Sequence, residues 1–280
     1  MRSQSSDRLQ AALTARFLKP AIAALREMFF EIRAETDLAL GRRGEARYRR
    51  PYPYGWCLEI TQDVMERLRA RMAREPRSAG ERAMKLFLLN GGQVQRRWGV
   101  LREQFFQNAL AAGALYIDVS NDTVDIRKPK VEILPMGEAG LAPVRDAAHY
   151  AGIAQSYWGC AVYANTALPS FAPLLPIILV DRSWRIQLHS KNEYMTQLLR
   201  SDGFRRSEQW LRGGTEPPAA VVRALREACP SDILALNLET GVDAAVEACR
   251  RLRVVPTTVD EACSADVFQP ALGCPHVLAA

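Results

Sequence analysis

The sequence has no run of 18 apolar residues. Its longest candidate, Ala172 to Val180, is nine residues and holds two prolines, far short of the ~20 that cross a bilayer. No membrane span is therefore expected. CxxC pairs are absent, and the one cysteine close to a histidine is Cys274, beside His276. Those two alone do not fill a tetrahedral site, so no metal is expected. GxGxxG and GxxxxGK are also missing, and Gly91-Gly92 and Gly213-Gly214 stand isolated. Neither a phosphate loop nor a cofactor is expected. The start, MRSQSSDRLQ, lacks the apolar core of a secretory signal. Together these absences make a cytoplasmic protein with reduced thiols the expectation. Lysine is scarce too: the first 110 residues hold only Lys19 and Lys85.

What is present reads as a globular chain of mixed structure. Hydrophobic residues make up 48% and charged residues 24%, which excludes collagen, long coiled coil and wholesale disorder. A length of 280 residues suits one large or two modest domains. The net charge of +6 is uneven: residues 1–110 hold 21 Lys and Arg against 12 Asp and Glu, and the remainder 16 against 19. An arginine-rich half fits either a solvated surface or carboxylate and phosphate recognition.

Helices dominate the first third. Ser5, Ser6 and Asp7 offer cap oxygens before Leu9, and Lys19-Pro20 interrupts the helix that follows. Ile22, Leu25, Phe29 and Ile32 recur at 3, 4 and 3, an apolar seam expected in the core, with Gly41 as its stop. Residues 41–56 form a basic and aromatic loop: GRRGEARYRR, then PYPYGW. No helix-turn-helix, RNA-recognition or finger pattern frames Arg42 to Arg50, so a sequence-specific nucleic-acid reader is not expected. Helices follow from Cys57 to Ala73 and from Glu81 to Asn90.

The texture then changes. VQRRWGVL alternates as a strand, FFQNALAAG reads as a short helix, and ALYIDVS and KVEILP read as strands. Leu141 to Trp158 contains a helix, and APLLPIILV with WRIQLH makes a hairpin. The glycines and prolines of RGGTEPP mark a boundary between a main domain, 1–211, and a small lobe, 219–280. In the lobe AAVVRALREA reads as helix, DILALNL as strand and GVDAAVEACRRLR as helix. The class is α+β: a helical N-terminal region on a mixed or antiparallel sheet, with an α-β-α C-terminal lobe.

Chemistry concentrates at PYPYGWCLEIT. Cys57 stands at the first turn of a helix, where free N–H groups favour thiolate over thiol, and Gly55 lets a backbone approach. RRWGVL and ALYIDVSNDT come later in the chain. In that order the pieces resemble the cysteine-dependent transglutaminase-like and papain-like superfamily, over residues 51–125. The resemblance implies a thiol acyl or amide hydrolase or transferase. Cys57 would be its nucleophile and Asp118 the orienting carboxylate, with Tyr54, Trp56, Arg96 and Trp98 around the substrate. The chain departs from the family where His-x-Trp is expected, because Arg96 stands in place of histidine. Arginine does not act as a general base at neutral pH. His189, at a strand end, is then the candidate base; His149 and His276 are the other histidines. The run SNDT with Asp118 and Asp125 reads as an Asx turn, the alternative being a hard cation site.

Three functions stay open: a thiol enzyme acting on an acyl, peptide-like or small-molecule substrate, a non-catalytic binding or accessory protein with a protein partner, and a nucleic-acid binder using the basic half.

Overall fold

The computed structural model describes residues 4–42, 50–189, 193–254 and 277–279. The chain divides into two compact units, 1–143 and 144–280, and its class is α+β as expected. Most of the basic stretch 42–50, together with Cys263, Cys274 and His276, lies outside the described residues.

In the first unit, α1 (Gln4–Leu13) runs into a π turn over Thr14–Leu18 and a 3₁₀ turn over Lys19–Ala21. The helix is already running at Gln4, ahead of the expected caps. Pro20, with no N–H to give, sits in the irregular stretch. The helix α2 (Ile22–Gly41) buries Leu25, Met28, Phe29 and Ile32, while Ile22 at its start is half-buried. Its last residue is Gly41, not a residue beyond the end. The next helix, α3 (Cys57–Met72), buries Ile60, Val64 and Leu68. Ser78 caps α4 (Ala79–Leu89): its Oγ accepts from the Glu81 N–H at 3.2 Å, and the Glu81 carboxylate accepts from the Arg77 N–H at 2.7 Å. Together the two bonds satisfy one N–H in the first turn and one just before the cap, a variant of the capping box.

These helices cover an antiparallel sheet of β1 (Val94–Leu101), β2 (Phe105–Ala112), β3 (Leu115–Asp118), β4 (Glu132–Pro135) and β5 (Leu141–Ala142), in the order β4-β3-β2-β1-β5. The expected helix at FFQNALAAG is strand β2, paired with β1 from Val94↔Ala112 to Leu101↔Phe105. Leu110 and Ala112 join the helical core, whereas Ala109 packs on the other face with Leu101, Tyr116 and Ala139. A strand buried on both faces loses the alternation that marks strands in sequence.

The β2–β3 turn is fastened to the start of the chain. Thr14 Oγ1 donates to the Gln10 carbonyl at 2.7 Å and accepts from the Ala114 N–H at 2.9 Å. Gly113 sits beside it with φ of 58°, and a Cβ there would collide with Thr14 Oγ1.

The second unit contains α5 (Ala147–Trp158), β6 (Ala161–Ala164), β7 (Ile177–Val180), β8 (Ile186–His189), α6 (Glu193–Ser201), α7 (Arg205–Gly213), α8 (Ala219–Glu227), α9 (Ser231–Ala235), α10 (Val242–Val254) and β9 (Val277–Ala279). The expected hairpin is β7–β8, and β9 pairs parallel to β8. The stretch 212–218 lies inside this unit, between α7 and α8, with the Thr215 carbonyl accepting from the Ala164 N–H at 2.8 Å. DILALNL, expected as a strand, contributes the short helix α9. Its buried Ile233 packs with Val221 and Leu225 of α8 on the β7–β8 sheet. Glu208 of α7 accepts from Arg250 and Arg253 of α10, pinning those helices. Among the described residues no helix is long and apolar enough to cross a membrane.

Phe29→Ala should lower unfolding free energy by about 3–5 kcal/mol in urea titration, as for a fully buried aromatic; an unchanged midpoint would contradict the core placement. Gly113→Ala meets both a left-handed backbone and a steric clash, and should cost about 3 kcal/mol by the same measurement.

Candidate functional site

The loop before α3 is tightly wound. Tyr54 N–H donates to the Pro51 carbonyl and Trp56 N–H to the Pro53 carbonyl, both at 3.1 Å. Gly55, at φ of 73°, donates its N–H to the Thr123 carbonyl at 3.2 Å. Its positive φ is one that residues with a Cβ rarely adopt. Trp56, 1% exposed, packs edge-on against Tyr52 at 5.7 Å and immediately precedes the helix.

Cys57 is the first residue of α3, as the sequence implied. The group facing its sulfur is Asn108 of β2, whose Nδ2 donates to Sγ at 3.5 Å. Asn108 is also held through its backbone carbonyl, which accepts from Thr61 Oγ1 and from Ser120 Oγ, each at 3.1 Å. Burial pushes the Cys57 thiol above its ordinary value, and the nearby Asp118 and Glu59 carboxylates push the same way; hydrogen bonds with Asn108 oppose this without reversing it. The expected lowering by the helix N-terminus is outweighed, because removing a thiolate from water costs more than one helix end returns.

Asp118 is fully buried in β3. Alternation along β3 puts it on the face of Tyr116, opposite to Leu115 and Ile117 of the helical core. Its carboxylate accepts from Gln107 Nε2 at 2.7 Å, Tyr116 OH at 2.9 Å, the Ser120 N–H at 2.8 Å and Ser120 Oγ at 3.2 Å. Burial nonetheless holds the carboxyl above the usual range. Ser120 thus links the two centres, touching Asp118 and the Asn108 carbonyl at once.

The turn after β3 is fixed by an ion pair from α2. Arg33, wholly buried, donates to both oxygens of Asp122 at 2.8 and 2.9 Å, to the Val119 carbonyl at 2.6 Å and to Asp37 at 2.7 Å. Burial works against its charge, but the two carboxylates raise its pKa further still. Asp37 in turn accepts from Tyr52 OH and from Lys130, each at 2.5 Å. Asn121–Thr123 forms a 3₁₀ turn. The cation alternative loses its ligand here, since a guanidinium occupies Asp122. Among the described residues no group of three His, Cys, Asp or Glu could hold a metal.

The other expected residues lie elsewhere. Arg96 is exposed on β1, opposite Leu110. Trp98 faces Asn108 in the β1–β2 register and stacks on Phe106 at 5.6 Å. Tyr54 lies under the Arg50 guanidinium, 5.0 Å from ring centre to Cζ. His189 belongs to the second unit, where its Nδ1 meets Tyr150 OH at 2.8 Å and its ring lies 5.7 Å from those of Tyr150 and Trp158. His149 Nδ1 accepts from the Arg145 N–H at 3.2 Å. Burial pushes Cys160, Cys229 and Cys249 up to about 11, 11 and 12.

Arg33, Gln107 and Asn108 carry no signal in the sequence, and Ser120 is marked there only as part of the SNDT turn. Reading β2 as a strand would have set Asn108 opposite Trp98. The turn that makes the hairpin hides it, because Arg102 and Glu103 hold positive φ without a glycine or asparagine to mark it.

Comparison with protein-family models, curated proteins and solved structures finds no match.

Asp122→Ala leaves Arg33 charged and buried without its main partner, and should cost about 3–5 kcal/mol in urea titration. A loss below about 1 kcal/mol, the range of exposed pairs, would show the pair to be incidental.

Proposed function

We propose that the first unit is a non-catalytic binding module on a core related to the transglutaminase-like thiol enzymes, with Cys57 kept as a structural thiol. The observation that carries this reading is the Asn108 carboxamide on the Cys57 sulfur. A thiol nucleophile needs a base within hydrogen-bond reach. An amide offers donors and a carbonyl but takes no proton near neutrality.

The order of elements supports the related core: a cysteine opening a helix, that helix packed on a strand, and a buried aspartate on the next strand. In this reading Asn108, which lies on the Cys57 sulfur, is the position to compare with the family's histidine in place of Arg96. His189, the other candidate base, is engaged by Tyr150 within its own unit. The nucleic-acid reading is weakened by the arginines themselves. Arg33, Arg67, Arg71, Arg74 and Arg102 all pair with carboxylates of this chain, so these five are engaged within the fold.

Timed alkylation of the folded chain, read by mass spectrometry, tests the reading. Cys57 is half-buried where Cys160, Cys229 and Cys249 are buried, so accessibility alone lets it label faster; its rate should nonetheless fall as steeply as that of an ordinary thiol from pH 8 to pH 6. In Asn108→His a protonated imidazole beside the sulfur favours thiolate, and labelling at pH 7 should rise about tenfold, one pKa unit or more. Labelling of wild-type Cys57 that persists undiminished at pH 6 would overturn the non-catalytic reading and restore the enzyme.

A further inference from the structure

We propose that the first unit carries a second feature with a ligand of its own: a cavity of about 680 Å³ that binds a small phosphate monoester with an apolar or aromatic body. Its walls are the loop before α3, the start of β2 and the turn after β3, represented by Arg50 and Tyr54, Phe105, and Ile126 to Lys128. The size falls in the range of small-molecule sites. The hydrogen bond from Gly55 N–H to the Thr123 carbonyl ties the first wall to the third.

The charges define the ligand. Asp125 pairs with Arg127 through two bonds, at 2.9 and 2.8 Å, so that pair is internally neutralised. Arg50 and Lys128 are different. Each rests on an aromatic ring, Arg50 over Tyr54 at 5.0 Å and Lys128 over Phe105 at 5.3 Å. Among the described residues no carboxylate pairs with either. A cation lying on a ring is held more weakly than one bonded to an oxyanion. Two such cations in one cavity leave a positive charge of two, matched by a phosphate monoester at −1.5 to −2 near pH 7. Tyr54, Phe105 and the 57% exposed Ile126 then supply apolar surface for the body that carries the phosphate.

The inference does not depend on whether Cys57 is catalytic, although the walls adjoin its elements: Tyr54 precedes Cys57 by three residues, and Phe105 precedes Asn108 by three.

Calorimetric titration of the full chain with phenyl phosphate, inorganic phosphate and benzoate tests it at low ionic strength. Phenyl phosphate should bind most tightly, inorganic phosphate at least tenfold more weakly for want of the ring, and benzoate more weakly for want of the second charge. The double variant Arg50→Gln, Lys128→Gln should lose at least tenfold in affinity for phenyl phosphate while keeping the wild-type melting temperature. Arg82→Gln, at an exposed position of α4 away from the cavity, should bind as wild type does. Absence of phenyl phosphate binding at millimolar concentration, or undiminished affinity in the double variant, would overturn the site. Equal affinity for inorganic and phenyl phosphate would overturn the apolar half of the assignment.

Discussion

The first unit turns on one buried charge. Arg33 is wholly enclosed, and taking a guanidinium out of water costs several kcal/mol unless its hydrogen bonds are all met. Asp122, Asp37 and the Val119 carbonyl accept four hydrogen bonds from it, and they come from two separate stretches of chain. The pair therefore fixes where the turn after β3 sits against α2. That turn places Ser120 between Asp118 and the Asn108 carbonyl, and it presents the Thr123 carbonyl that holds Gly55. The position of Cys57 follows from contacts two steps removed from its own chemistry.

The same enclosure decides what Cys57 can do. A helix N-terminus favours thiolate, and the sequence puts the cysteine there. Activation also needs a positive neighbour or water. The neighbours here are an amide and two carboxylates, and burial raises both the Cys57 thiol and the Asp118 carboxyl. Two groups both driven toward their neutral forms make a polar core joined by hydrogen bonds. The non-catalytic reading rests on this likeness, since in an acid–base pair the environments push the pKa values apart.

Much of the helical layer was legible. The seam Leu25, Phe29, Ile32 and the face Ile60, Val64, Leu68 are local patterns, readable because a helix places residues three and four apart together. The strand β2 was not, since burial on both faces removed its alternation and its turn carries no glycine. The helix α9 was misread for a related reason: DILALNL is short and rich in Ile and Leu, and over so few residues periodicity does not separate strand from helix. At the site, Cys57 and its helix start were visible, as they depend on neighbours in sequence. Asn108 stands 51 residues from Cys57, and Asp122 is 89 from Arg33. Such pairings come from the sheet register and the packing of α2, which no local spacing encodes.

The central claim is that the Cys57 thiol titrates above its ordinary value, because desolvation of its sulfur raises it more than the Asn108 hydrogen bonds lower it. The most direct measurement is the titration of Cys57 itself, followed by NMR through the labelled Cβ carbon in the full chain, with Cys57→Ser to assign the resonance. The account predicts a midpoint above the ~8.5 of a free thiol. A midpoint below that value, with Asn108 in place, would contradict it.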